Sequence, residues 1–173
     1  FPLFGKPLIE WTISKAKKIK QIDRVIVSTD GDEIAQVSKS LQAEVFSRAN
    51  QISSDQSLVV ETVRQIIYEL EEQNYIFDFL ILLEPTSPLR NCRDIEEVIL
   101  ELINGFDSVA TFTNAKLNPH RAWSIVNGVP STFISGAIPW LPRQQLPQAW
   151  ELNGAVYGIN VNSFKKHSGV SLL

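Results

Sequence analysis

The sequence predicts an α/β fold built on a mostly parallel, doubly wound sheet, and three observations carry that reading. Apolar runs of strand length alternate with stretches of helical periodicity along most of the chain. The run Phe79-Leu80-Ile81-Leu82-Leu83 is apolar on both faces, as suits a strand covered by helices on either side. It stops abruptly at Glu84-Pro85-Thr86-Ser87-Pro88-Leu89-Arg90, a polar turn where open α/β sheets bind ligands, beyond the carboxyl ends of their strands.

The elements follow in order. Leu8-Ile9, Ile13, Ala16 and Ile19 recur at helical spacing, with Lys15, Lys17, Lys18 and Lys20 read as a solvated face. Arg24 to Asp30 makes a strand that ends at Asp30-Gly31, and Ile34, Val37 and Leu41 give the next helix its inner stripe. Glu44 to Phe46 is a short strand. Arg48 to Ser57 is a polar loop whose serines and Asp55 suit helix N-caps. Val60, Val63, Ile66-Ile67 and Leu70 mark a helix leading to the apolar strand. After the proline loop, Asp94 is expected to cap a helix with the stripe Ile95, Val98-Ile99 and Leu102-Ile103, closed by Gly105 at C′. A strand over 107–113 follows. Repeated units of this length imply right-handed crossovers and helices on both faces.

The pattern changes between Leu117 and Gln148, where five prolines and an Asn127-Gly128 hairpin signal interrupt it. The 173 residues are expected to form one domain, with 117–148 as a dimerisation insertion. Trp123, Phe133, Ile134, Ile138, Trp140 and Leu141 would be an unusually apolar surface for a monomer, which suggests a homodimer. Strand character resumes over 153–160.

A net charge of −3 argues against nucleic acid or an anionic membrane as partner. Cys92 is the sole cysteine, and no apolar stretch reaches the ~18 residues of a membrane span, so a reducing cytoplasm is expected. Phe1 is not a natural start and methionine is absent, so the chain reads as a fragment. His120 and His167 are too few and too far apart for a metal cluster.

The candidate site gathers Asp30, the Glu84 to Arg90 turn, and the segment from Arg143 to Tyr157, which carries Arg143, Gln145, Asn153 and Tyr157. Planar guanidinium and amide groups suit a carboxylate and hydroxyls, as an acidic sugar presents. Blander readings stand beside these. Asp30 could cap the following helix, Arg143 could pair with a surface carboxylate, and Tyr157 could be a core residue with a backbone partner.

Leu82-Leu83-Glu84-Pro85-Thr86-Ser87-Pro88-Leu89-Arg90 resembles LLQPTSPLR of the CMP-sialic acid synthetases, and Arg143-Gln144-Gln145-Leu146-Pro147 through Asn153-Gly154-Ala155-Val156-Tyr157 resembles their RQQLP…NGAIY. Gly5-Lys6-Pro7-Leu8-Ile9 and Val27-Ser28-Thr29-Asp30 fit the same template. The resemblance implies a Rossmann-like nucleotidyltransferase that moves CMP from CTP to a nine-carbon keto-sugar acid, such as N-acetylneuraminate, with Mg²⁺ assisting and pyrophosphate leaving. It further implies Asp30, Arg48 and Ser87 at the nucleotide, and Glu84, Arg90, Arg121, Arg143, Gln145, Asn153 and Tyr157 at the sugar. Three departures stand out: Glu84 for the usual Gln, Glu151 for an Arg in some members, and Leu58-Val59 where serines are common. The family's basic Gly-rich motif and paired-Asp metal motif have no counterpart here, so Mg²⁺ ligands are expected outside this sequence. Glu84 favours a legionaminate or pseudaminate enzyme as the alternative. A non-catalytic dimeric fragment is the other.

Overall fold

The computed structural model describes residues 2–47, 59–169 and 171–173. Arg48 and the polar loop expected to supply N-caps lie outside the described residues.

The chain begins with a small antiparallel hairpin, β1 (Pro2–Leu3) and β2 (Lys6–Pro7), turned by Phe4 and Gly5 at φ of 50° and 76°. Helix α1 (Leu8–Ala16) buries Thr12, Ile13 and Ala16. Ile19 is buried as well, although it lies past the end of the helix. Strand β3 (Ile26–Thr29) pairs in parallel with β4 (Glu44–Ser47) around α2 (Asp32–Ser40). The residue buried deepest in α2 is Ser38, not the expected Ile34, which is exposed. The Ser38 hydroxyl donates to the Ile34 carbonyl at 2.7 Å, so this small side chain is buried with its polar atom satisfied. Gly31, not Asp30, occupies the N-cap of α2, and no side chain caps that helix.

Helix α3 (Val59–Glu72) leads to β5 (Phe79–Leu82), and α4 (Cys92–Ile103) follows the proline loop. Asn91 caps α4 and Asp94 sits at N3, each side chain accepting from the other residue's backbone N–H. The expected cap is therefore the second half of a capping box. In α4, Ile95, Val98, Ile99 and Leu102 are buried at the i, i+3, i+4, i+7 spacing read from the sequence, each contributing about 1.5–3 kcal/mol of burial. Gly105 follows the Asn104 C-cap with φ of 103°.

Strand β6 (Ser108–Asn114) is followed by a 3-10 turn at Pro119–Arg121. The antiparallel hairpin β7 (Trp123–Val126) and β8 (Val129–Thr132) turns at Asn127 and Gly128, both at positive φ, as the Asn-Gly signal predicts. A second 3-10 turn, Arg143–Gln145, precedes β9 (Trp150–Asn160) and α5 (Val161–Lys166).

Strand β9 lies between β5 and β6 and runs antiparallel to β5, with Leu82 opposite Tyr157. The expectation of a mostly parallel sheet is corrected here. Parallel pairing holds for β3 and β4, whereas β9 returns after a long excursion in the opposite direction. Alternate residues of β9 face opposite helices. Val156 packs in a cluster with Ile95, Val98 and Ile99 of α4, and Ile159 packs with Val60, Val63 and Ile67 of α3. Helices thus cover both faces, as expected.

The chain forms two compact units, one of residues 1–111 and 154–173, the other of residues 112–153. In the second, Trp123, Phe133, Ile138 and Trp140 are exposed, while Ile134 and Leu141 are half-buried. Among the described residues, no helix is long and apolar enough to cross a membrane.

Candidate functional site

Past the end of β5 the chain turns twice in quick succession. The Ser87 N–H donates to the Glu84 carbonyl at 3.2 Å, and the Arg90 N–H to the Ser87 carbonyl at 3.3 Å. Pro85 and Pro88 fix two backbone angles and supply no donors, so the loop is stiff before any ligand arrives.

Arg90 pins this loop from within. Its side chain is 4% exposed. Nε donates to the Ala155 carbonyl of β9 at 2.5 Å, Nη2 to the Glu84 carbonyl at 2.5 Å, and Nη1 to the Thr12 hydroxyl of α1 at 3.2 Å. Burial pushes the guanidinium pKa below its ordinary value, and the charges of Glu84 and Asp94 oppose that fall. The expectation that Arg90 contacts the sugar is corrected on this geometry, because the guanidinium is enclosed and committed to tying loop, strand and helix together. Lys15 acts alongside it. Its Nζ donates to the Pro88 carbonyl at 2.7 Å and also to the Arg90 carbonyl, so it is no solvated residue of the helix face.

With the backbone held, the Glu84 carboxylate meets β9. It accepts from Thr86 Oγ1 at 3.3 Å and from the Tyr157 hydroxyl. Burial, then the Glu84 charge and this hydrogen bond, raises the Tyr157 pKa above its ordinary value. Gly154 completes the cluster. A Cβ built there would lie 2.9 Å from Glu84 Oε2 and 3.5 Å from Ser87 Oγ, at a φ of 69° that side chains rarely adopt. Glu84, Ser87, Gly154 and Tyr157 therefore share one rim. A carboxylate and a phenol so placed can accept from and donate to the hydroxyl or amide groups of a ligand.

Asp30 stands exposed just past β3 in the same unit. The second unit holds the remaining expected residues. Arg121, exposed on its 3-10 turn, donates from Nη2 to the Leu141 carbonyl at 2.8 Å, and lines an open recess of about 310 Å³ with Trp123, Pro139 and Trp140. Arg143 and Gln145 are exposed on the second 3-10 turn, and Asn153 is exposed within β9. Arg48 lies outside the described residues. Among the described residues no three His, Cys, Asp or Glu side chains gather as a metal site.

With this geometry in view, comparison with known proteins is decisive: a family model described as cytidylyltransferase matches residues 1–124. The chain belongs to the cytidylyltransferase family. The likeness to CMP-sialic acid synthetases read from the motifs agrees with that membership. A CMP-N,N'-diacetyllegionaminic acid synthase of Legionella pneumophila is 33% identical over 125 residues, 71% of this chain and 53% of the relative. An N-acylneuraminate cytidylyltransferase of Oncorhynchus mykiss is 37% identical over 109 residues, 62% of this chain and 24% of the relative. The chain thus spans about half the length of the first relative, or less of the second.

Among solved structures, the CMP:2-keto-3-deoxy-manno-octonic acid synthetase complexed with CTP aligns at a TM-score of 0.69 and 16% identity, covering 97% of this chain and 69% of that one. 4-Diphosphocytidyl-2C-methyl-D-erythritol synthase aligns at 0.61 and 13%, covering 91% and 68%. At such identity these two establish the fold of the chain alone, an α/β nucleotidyltransferase fold.

Sequence reasoning missed three residues that shape the rim. Gly154 stands within the second motif with no side chain to mark it, and Lys15 reads as one solvated lysine among several. Thr12 gave a usable signal, as a polar residue beside Ile13 in an otherwise apolar helical stripe.

Proposed function

We propose that this cytidylyltransferase transfers CMP from CTP to the anomeric hydroxyl of a nine-carbon keto-sugar acid, N-acetylneuraminate or a relative. The sugar hydroxyl gives up its proton to solvent as its oxygen bonds to the α-phosphorus, the bond from that phosphorus to the β-phosphate oxygen breaks, and pyrophosphate leaves. The observation that carries this reading is the family match over residues 1–124, which includes the Glu84 to Arg90 loop in full.

The loop's chemistry supports the sugar side of the proposal. Glu84 and Tyr157 offer an acceptor and a hydroxyl at the end of a strand, and Ser87 lies beside them. In this reading Ser87, Asp30 and Arg48 serve the nucleotide, while Glu84, Tyr157, Asn153, Arg121, Arg143 and Gln145 serve the sugar. Arg90 and Lys15 position the loop. Magnesium belongs to the reaction as proposed, where it would offset charge on the phosphates.

A second reading, transfer to legionaminate or pseudaminate, is favoured by Glu84. Its negative charge opposes a sugar carboxylate nearby and suits an additional N–H donor, as a second acylamino group supplies. A homodimer formed through the exposed Trp123, Phe133, Ile138 and Trp140 is also part of the proposal.

The test is pyrophosphate release by the full-length protein given CTP, Mg²⁺ and each acid in turn. Release with N-acetylneuraminate supports the first reading, and faster release with the diacylamino acids supports the second. No release with any of them removes both.

A further inference from the structure

The first unit contains a cavity of about 430 Å³ bordered by every residue from Asp23 to Ser28 and every residue from Phe79 to Pro85. A strand that turned one face to a cavity would contribute alternate residues. Consecutive residues on both strands mean that β3 and β5 present their edges, with backbone N–H and C=O groups, to the same space.

The pairing agrees. Among the described residues β3 is bonded to β4 alone and β5 to β9 alone, so each keeps one open edge. Burial agrees too. All four residues of β5 are apolar, yet each is only half-buried. Ser28 Oγ, at the cavity wall, is buried with no hydrogen-bond partner. Open apolar edges are what folded proteins otherwise cover, and a buried unpaired polar group is destabilising.

Two opposed rows of backbone donors and acceptors are matched by another peptide backbone, which carries both kinds of group along both of its edges. An aliphatic ligand has neither. Apart from Thr12, Gln21, Thr62 and Tyr75 the remaining walls are apolar, with Ile9 and Ile13 from α1, Val63 and Ile66 from α3, and Ile99 from α4. They call for apolar side chains on the incoming segment. We infer that the cavity is a slot for one extended apolar strand, bonded to β3 along one edge and to β5 along the other.

A segment of four residues spans about 13 Å, the length of β3 and of β5. Running parallel to β3, it makes a β-α-β unit with α1, the helix that precedes β3 and lines the slot. The strand joins the two-stranded and three-stranded sheets into one. It also steadies β3 and β5, the strands that lead to Asp30 and Glu84. This inference does not depend on which sugar acid is used.

The experiment mixes the 173-residue chain with a short peptide of alternating valine and isoleucine flanked by lysines, and follows amide hydrogen exchange residue by residue. Bound peptide at one per chain should slow exchange of the β3 and β5 amides roughly tenfold or more. The same peptide N-methylated at alternate residues keeps its apolar surface but loses donors, and should give no protection. A chain that gains structure only with the unmethylated peptide supports the slot equally. Equal protection by the methylated peptide or by a fatty acid would overturn it in favour of an apolar ligand pocket. Protection in the chain without peptide also overturns it: as a dimer, because a second copy fills the slot, and as a monomer, because the edges pair with each other.

Discussion

Gly154 of β9 lies so close to Glu84 that a Cβ on the glycine would stand 2.9 Å from the carboxylate oxygen Oε2. The missing side chain is what lets Glu84 rest against β9 beside Tyr157. Gly154→Ala would meet both this crowding and a φ of 69°, at a cost of about 1–2 kcal/mol. Urea denaturation should show that loss, and the pyrophosphate assay a fall in activity larger than the stability change explains. Activity at the wild-type level would contradict the role given to the Glu84 placement.

Gly158 presents the same device in the core. A Cβ there would come within 2.6 Å of Val98 Cγ1 and 2.8 Å of Leu102 Cδ1, so α4 sits directly on the β9 backbone. Gly158→Ala should destabilise by about 1–3 kcal/mol through overpacking. Adding Val98→Ala should recover part of that loss, because the two changes share one space. Denaturation of the four proteins in the cycle measures the coupling, and strict additivity would argue against direct contact.

Arg90→Ala removes three hydrogen bonds and takes one donor each from the Glu84 carbonyl, the Ala155 carbonyl and the Thr12 hydroxyl. A loss of about 2–4 kcal/mol is expected, with faster amide exchange across residues 84–90. Arg90→Lys keeps the charge but not the planar fork, and should recover less than half. If Arg90 were instead a substrate contact, Arg90→Ala would raise KM while leaving stability unchanged.

Tyr157 gives a pH signature. Below the ordinary tyrosine value of about 10 the phenol is protonated in folded and unfolded chains alike, and its bond to Glu84 is fully present. Because folding raises the Tyr157 pKa, its contribution to stability is lost as pH climbs past that value and through the higher folded one. Phenolate absorbance should therefore show Tyr157 titrating above the ordinary tyrosine value. Glu84→Gln should bring that titration back toward the ordinary value, and Tyr157→Phe should abolish it.

Glu84→Gln also tests sugar choice. Exchanging carboxylate for amide removes one charged acceptor, worth about 1.5–3 kcal/mol when it is bonded to a ligand. Relative kcat/KM for N-acetylneuraminate over N,N'-diacetyllegionaminate should rise by roughly tenfold or more, each 1.4 kcal/mol being a factor of ten. An unchanged ratio would remove Glu84 from the specificity group.

The sequence by itself determined the order of strands and helices from α1 to β6, the buried stripe of α4, the Asn127-Gly128 hairpin and the proline loop after β5. Each of these rests on local spacing or on the backbone limits of Pro, Gly and Asn, which operate wherever the residue sits. Only the tertiary structure decided three other matters. The direction of β9 depends on which edge a returning chain finds. The role of Arg90 depends on burial, since a guanidinium in a binding motif reads alike whether it faces a ligand or the Ala155 carbonyl. The two open edges at β3 and β5 appear only when every strand has been given its neighbours, and an apolar run such as Phe79 to Leu83 cannot say which neighbour it lacks.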